Sequence, residues 1–384
     1  MKCRAAVIHG AGQDWSVEEI EVDPPRAGEV LVRWTHAGLC HSDEHLLTGD
    51  FVPPPEQLAM MGTDTIFPMV GGHEGSGVVA EVGPGVTSVA VGDHVSASFV
   101  PSCGRCRFCV TGRQNLCDSG AGTFLPGMIT DGTSRHRSGS GELRLMAKLG
   151  TFSEYSCVAE SQVIRVDPDL PLDVVSLVSC GVATGWGSAT NRGDVRPGDT
   201  VVVVGIGGIG INAVQGAAMA GAKRVVAVDP VEFKREQAME FGATHTFASM
   251  AEALPAVAEL TMGQMAEVVI MTPGVLYGDL MALGTKLAGK GGTIVATAVA
   301  PLAQTSADIN LSEITLWNKE IKGTIFGSLN PRFDIPNLLS MYQAGTLKLD
   351  ELITRRYPLS DINVGYQDMR DGKNLRGVVV HAGS

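Results

Sequence analysis

Four consecutive valines, Val201-Val202-Val203-Val204, run directly into Gly205-Ile206-Gly207-Gly208-Ile209-Gly210 and then into a small-residue, helix-like stretch over 211–220. An unbroken apolar run suits a strand buried on both faces, which is what a parallel sheet demands. Gly205 permits a tight turn, Gly207 lets the backbone approach a pyrophosphate, and Gly210 allows the helix to pack closely on the strand. The helix N-terminus then faces negative charge. Such a glycine pattern is weak alone and also occurs in strand–helix turns that bind nothing. Here it has the strand before it and the helix after it that dinucleotide binding requires.

The same rhythm continues downstream. An apolar run over 224–228 ends at Asp229, nineteen residues past Gly210. A carboxylate there accepts hydrogen bonds from a ribose diol and repels a 2′-phosphate, which favours NAD over NADP. Helix-like 232–241, a strand over 267–271, another helix and a strand over 293–296 follow. Strands alternating with helices at this spacing predict βαβ units in a doubly wound parallel sheet, the Rossmann arrangement.

The first half has a different texture. Short β-type runs such as 30–34 and 77–83 alternate with glycine, and proline pairs punctuate them, as in a small twisted β-rich domain. A final β-like run at 377–380, after a helical stretch over 336–344, implies that the tail rejoins this domain. Residues 132–142, polar and glycine-rich, read as one surface loop. A net charge of −12 disfavours general affinity for nucleic acid or anionic membrane. The N-terminal residues lack the apolar core of a signal peptide, and no apolar run reaches the ~18 residues of a membrane span. A cytoplasmic location is therefore expected.

Of eight cysteines, four fall in Cys103-x2-Cys106-x2-Cys109-x7-Cys117. In a reducing compartment such crowding means metal ligation rather than disulfides. Four thiolates can close tetrahedrally round one Zn²⁺ and leave no position open, the mark of a structural site. An iron–sulfur cluster or free thiols on a loop are the other readings of this spacing. Cys40, His73 and Cys180 are scattered, and none is persuasive alone. Together they make the Cys₂His set that leaves a fourth position open on a catalytic zinc.

Gly38-Leu39-Cys40-His41-Ser42-Asp43, Gly72-His73-Glu74-Gly75, the four-cysteine loop, the glycine turn and Gly372-Lys373-Asn374-Leu375-Arg376-Gly377 occur in one order along the chain. In that order they resemble the zinc-containing medium-chain alcohol dehydrogenases over essentially the whole length. GLCHSDEHLLTG (38–49) and VDPVEFKREQ (228–237) are similar to the nicotinoprotein, NDMA-dependent group of that family. The resemblance implies an α/β fold: a GroES-like β-rich catalytic domain over 1–182 and 325–384, with its structural zinc loop at 103–117, and a Rossmann NAD domain over 183–324. It implies two zinc ions per chain and an NAD(H) held tightly enough that an external redox acceptor completes the cycle. By the same resemblance Cys40, His73 and Cys180 hold the catalytic zinc, Ser42 takes the hydroxyl proton and His45 passes it on. Asp43 orients the ligand imidazole, and Glu74 stands behind the metal. His41, Thr184, Gly205, Gly207, Gly208, Ile209, Gly210, Asp229, Lys234 and Arg376 match cofactor-contacting positions, and Phe99 matches a substrate-pocket wall. The implied partners are a small alcohol or aldehyde and a second copy of the chain, as dimer or tetramer, through an edge strand near 320–326.

The chain also departs from the family pattern. Residues 51–67 are a surplus beside the expected substrate entrance, either narrowing it or decorating the surface. Asp118-Ser119-Gly120-Ala121 follows the fourth loop cysteine, with nothing basic to meet a glutathione carboxylate. That disfavours a thiol-adduct formaldehyde dehydrogenase; a freely exchanging NAD enzyme is the nearer alternative. A non-catalytic NAD-binding protein would lack a zinc ligand or the relay serine, and this chain has them all. Cys3 and Cys157 are left as packing residues.

Overall fold

The structure, a computed structural model, describes residues 1–122, 125–139 and 141–383. It divides into two compact units, Met1–Cys180 with Asn330–Ser384, and Gly181–Leu329.

The second unit is a six-stranded sheet in the order His245–Phe247, Arg224–Val228, Thr200–Val204, Ala266–Met271, Ala288–Ala296, Glu320–Gly323. Every pairing is parallel. Numbered along the chain this is 3-2-1-4-5-6, the doubly wound order, and its switch point lies beside the first strand. All five residues of Thr200–Val204 are buried, as befits a central strand with helices on both faces. The turn that follows dictates its own glycines. Gly205 has φ of +88°, and a Cβ on Gly210 would stand 1.8 Å from the Gly205 carbonyl oxygen. The helix Gly210–Met219 therefore starts hard against the strand end. Glu320–Gly323 is the outer strand, shorter than the expected 320–326 because a 3₁₀ turn over Phe326–Ser328 follows it.

The first unit is built on two sheets. One runs Gly141–Glu142, His136–Ser138, Ser16–Val22, Lys2–Ile8, Met69–Val70, Arg144–Leu145. The other runs Val163–Arg165, His94–Ala97, Ser76–Val82, Glu29–Gly38, Arg376–Val380, Ile353–Pro358, with Tyr155–Ala159 also pairing to Glu29–Gly38. The C-terminal strand Arg376–Val380 thus lies beside Glu29–Gly38. The long strand is buried because it is paired on both sides and sits between apolar clusters centred on Trp34 and on Trp15, Phe152 and Tyr366.

One sequence expectation needs correction, and one left open is narrowed. Residues 132–142 are not one loop: His136–Ser138 and Gly141–Glu142 form an antiparallel hairpin at the sheet edge, residue 140 lying outside the described residues. Its polarity is misleading because charge is buried in pairs. Arg135, fully buried, donates from Nε and Nη2 to Glu29 at 2.9 and 2.7 Å and from Nη2 to Asp131 at 2.6 Å. Nor is 51–67 mere surface decoration. It folds into the helix Pro55–Met60, and Leu58 and Ile66 join the core cluster of Trp15, Leu46, Leu47 and Tyr366, with Phe51, Val52 and Phe67 packed against it. Arg144 anchors the segment by donating to the Thr63 hydroxyl at 2.8 Å and to the Thr65 carbonyl. Cys3 and Cys157 are buried in the apolar cluster of the first sheet, and burial pushes the Cys3 thiol up to about 11. Both pack in that cluster, and the Cys157 thiol also donates to Oε2 of Glu29 at 3.5 Å.

Candidate active site and metal centres

The chain leaves the strand Glu29–Gly38 and reaches Cys40, whose extended backbone caps the helix His41–Thr48. His73 and Glu74 lie between Met69–Val70 and Ser76–Val82, and Cys180 follows the helix Leu172–Val178. All four side chains are buried, and one potential ligand atom from each lies within 4.8 Å of the others. Nδ1 of His73 is 2.9 Å from Oδ2 of Asp43, while Oδ1 of Asp43 accepts from the Gly72 N–H at 2.8 Å. A carboxylate at Nδ1 puts the neutral ring's proton there and leaves a lone pair on Nε2. Both ring nitrogens are buried without a well-aligned hydrogen bond among the described residues, and Nδ1 is the one with Oδ2 of Asp43 at 2.9 Å. A buried imidazole nitrogen beside two thiols and a carboxylate is the donor chemistry of a zinc site.

The surroundings set the charges. A hydrogen bond from Cys180 holds the Cys40 thiol well below its ordinary range against burial, helped by the charges of His73 and Arg376; the Cys180 thiol is pushed up correspondingly. Burial disfavours charge on His73, but the negative groups of Asp43 and Cys40 outweigh it and push its pKa up. Burial raises the Glu74 carboxyl to about 7 against the pull of Arg376. Glu74 and Arg376, both buried, form an ion pair, and Nη2 of Arg376 also donates to the Leu39 carbonyl at 3.2 Å. The Phe99 ring stands edge-on to His73 at 5.8 Å, so it walls the cluster as well as packing on its own sheet.

On the same helix, Ser42 is half-buried, and its Oγ is 3.8 Å from the Cys40 thiol. His41 is exposed at the helix start. His45 is not a surface histidine: it is 3% exposed, with Nδ1 3.2 Å from Oδ2 of Asp50 and its ring edge-on to Phe51 at 6.1 Å. Asp50 and Phe51 escape sequence reading, since a carboxylate five residues past a histidine and beyond a glycine carries no helical spacing.

The sulfur atoms of Cys103, Cys106, Cys109 and Cys117 also lie within 4.8 Å of one another, and none is in a disulfide. Backbone N–H groups of Cys103, Cys106 and Cys109 point at the sulfurs of Cys117, Cys103 and Cys106 at 3.5, 3.4 and 3.4 Å. Donors aimed at sulfur stabilise thiolates, so a second metal fits here.

In the other unit Asp229 follows the strand Arg224–Val228, with Oδ2 accepting from the Ile206 N–H at 2.8 Å and Oδ1 from the Val231 N–H at 2.9 Å. The acid is thereby locked to the glycine turn, while each oxygen keeps a free lone pair. Lys234 is half-buried on the helix Glu232–Glu240. Its neighbour Arg235, unremarked in the sequence, donates to the Asp229 and Pro230 carbonyls at 2.8 and 2.9 Å. Thr184 is buried, and its Oγ1 has no hydrogen-bond partner among the described residues.

A doubly wound sheet with this turn, joined in one chain to a Cys₂His–carboxylate cluster and a Cys₄ loop, defines the class of zinc-dependent dehydrogenases. Comparison with known proteins narrows it. Residues 26–168 match the alcohol dehydrogenase GroES-like domain, and 208–344 match the zinc-binding dehydrogenase family. The NDMA-dependent alcohol dehydrogenase of Amycolatopsis methanolica is 54% identical over 382 residues, covering 100% of both chains. The putative alcohol dehydrogenase D of Mycobacterium tuberculosis is 52% identical, over 99% of this chain and 100% of its own. The crystal structure of benzyl alcohol dehydrogenase from Acinetobacter calcoaceticus superposes with a TM-score of 0.88 at 28% identity, covering 100% of each chain. The chain belongs to the zinc-containing medium-chain alcohol dehydrogenase family and is a zinc-dependent alcohol dehydrogenase. No single helix among the described residues is long and apolar enough to cross a membrane.

Proposed function

We propose that the enzyme oxidises a primary alcohol to the aldehyde with an NAD(H) that stays bound, and that an external redox acceptor reoxidises this NADH between turnovers. Two zinc ions complete the chain, one held by Cys40, His73 and Cys180, the other by Cys103, Cys106, Cys109 and Cys117. Zinc, when bound at the first site, supplies a Lewis acid that lowers the pKa of an alcohol hydroxyl, and NAD supplies the hydride acceptor.

The chain's own residues do the rest. Asp43 fixes the His73 ring so that Nε2 is the ligating nitrogen. The paired Glu74 and Arg376 keep one negative and one positive charge together behind the thiols. Ser42 accepts the hydroxyl proton and His45 passes it on, while Phe99 bounds the substrate's place beside His73. In the second unit Gly205, Gly207, Gly208, Ile209 and Gly210 cradle the pyrophosphate. Asp229 and Lys234 take the adenosine ribose, and Thr184 the nicotinamide. A second copy pairs along the outer strand Glu320–Gly323, where Ile321 and the nearby Trp317 and Ile325 are 41%, 41% and 46% exposed.

The observation that carries the catalytic reading is the buried cluster of His73 with two thiols and a carboxylate, one ligand atom from each lying within 4.8 Å of the others. The tightly held cofactor is supported by 54% identity to an NDMA-dependent enzyme along the full length. Exhaustive desalting, followed by denaturation and assay of released nucleotide, tests it. Near-stoichiometric NAD(H), with reduction of NDMA by benzyl alcohol and no added cofactor, is expected. An empty protein that needs added NAD and releases free NADH would make this an ordinary exchanging dehydrogenase.

A further inference from the structure

The helix His41–Thr48 ends at Gly49, whose φ of +87° only glycine adopts readily, and the chain folds back on the helix it has just left. The reversal brings the next two residues onto His45. The Phe51 N–H donates to the His45 carbonyl at 3.0 Å, and the Phe51 ring meets the imidazole edge-on at 89°. Oδ2 of Asp50 lies 3.2 Å from Nδ1 of His45 and accepts from the Thr48 hydroxyl at 2.7 Å. The His41 ring stands 6.4 Å away on the preceding turn of the helix. The imidazole is thus held from several sides, and its side chain is 4% exposed against 22% for Asp50.

We propose that Asp50 is a positioning residue for the proton relay: it accepts from Nδ1 of His45 and so keeps Nε2 as the nitrogen that takes the proton. The proposal rests on the reading of His45 as the relay's end. A carboxylate can only accept, so the neutral ring must carry its proton on Nδ1. The Thr48 hydroxyl, donating to the same oxygen, restrains the carboxylate. In each turnover Ser42 takes the hydroxyl proton of the alcohol, while NAD, when bound, would supply the hydride acceptor. The proton moves on to Nε2 of His45, the imidazolium rests against Asp50, and the same proton leaves to water, returning His45 to its starting form. Without the carboxylate the ring is free to carry its proton on Nε2, where it blocks acceptance. The segment 51–67 therefore begins, at Phe51, as part of the clamp on His45.

The test is single-turnover reduction of NAD-loaded enzyme by benzyl alcohol, followed by NADH absorbance, in Asp50→Asn, Asp50→Glu, His45→Gln and the double variant Asp50→Asn/His45→Gln. General acid–base groups contribute ~10²–10⁴-fold, so Asp50→Asn should slow reduction by roughly 10- to 100-fold. KM, zinc content and retained NAD should not change. Asp50→Glu should recover part of the rate, and the double variant should be no slower than His45→Gln alone, because Asp50 acts only through the ring. A wild-type rate in Asp50→Asn beside a slow His45→Gln overturns the proposal and leaves the relay standing. An additive loss in the double variant also overturns it, since that marks a structural role. A wild-type rate in His45→Gln removes the relay reading itself, and the proposal with it.

Discussion

Asp43→Asn tests how the first zinc site is held. Asp43 is fully buried; one oxygen accepts from the Gly72 N–H at 2.8 Å, and the other faces Nδ1 of His73 at 2.9 Å. An asparagine can keep only one of these contacts intact. If its carbonyl oxygen stays on the Gly72 N–H, its NH₂ faces Nδ1, and the ring must shed that proton to Nε2, which then cannot ligate. If the amide flips, the Gly72 N–H is left buried and unpaired. Loss of such an orienting carboxylate typically costs 10–100-fold in metal affinity, or about 1.4 to 2.8 kcal/mol at 1.4 kcal/mol per tenfold. The assay is dialysis against a graded series of chelator concentrations, with zinc counted per chain by elemental mass spectrometry. The Cys103–Cys117 loop, in which Asp43 takes no part, serves as the internal reference. One zinc should leave at roughly 10- to 100-fold lower chelator concentration than in the wild type, and the other should leave where it did before. Wild-type retention of both would refute the argument that Asp43 fixes the ligand ring. Loss of both together would mean that the unit had unfolded rather than that a ligand had turned.

Two further outcomes follow from burial and shape. Burial pulls His381 down to about 4 and, with the nearby charge of Arg135, His136 down to about 3. The unfolded chain protonates both near 6.5, so it binds more protons below that pH and stability falls as pH drops from about 6.5 towards 4 and 3. At pH 5 each histidine should have cost about 2 kcal/mol relative to pH 8. His381 donates from Nε2 to the Thr151 carbonyl at 2.9 Å, and the amide of His381→Gln can reproduce that bond without titrating. Denaturant midpoints at both pH values should show the acid loss about 2 kcal/mol smaller in this variant; an unchanged loss would place the acid sensitivity elsewhere. In the other unit, a Cβ on Gly207 meets nothing within 4 Å, whereas one on Gly210 meets the Gly205 carbonyl. Gly207→Ala should therefore lose copurified NAD yet keep the thermal midpoint of NAD-stripped wild type, whereas Gly210→Ala should lose the nucleotide and fall below that midpoint; retention of NAD by Gly207→Ala would argue that no pyrophosphate lies over that backbone.

Some of this molecule is legible from residue order because its causes are short-ranged. A valine strand, a glycine turn and a small-residue helix are each dictated by neighbours a few residues away, so Thr200–Val204, Gly205–Gly210 and Arg224–Val228 are read nearly to the residue. The four loop cysteines span fifteen residues and can close on one ion without help from the rest of the chain. Polarity, by contrast, misleads at 132–142, where Arg135 is buried against a carboxylate 106 residues earlier. Residue order also leaves 51–67 undecided, where Pro55 opens a helix and Leu58 and Ile66 join a distant core.

Tertiary structure alone brings Cys40, His73, Glu74 and Cys180 together and sets Arg376 against Glu74 from 302 residues away. No spacing encodes those encounters. They depend on which strands pair, above all on Arg376–Val380 returning beside Glu29–Gly38, and on burial that strips water from the site. Burial also raises Glu74 and leaves the His73 ring nitrogens without a well-aligned hydrogen bond among the described residues. Residue order names the donors; the folding of distant strands into one sheet turns them into a site, because charge and metal affinity depend on neighbours in space and on exclusion of water.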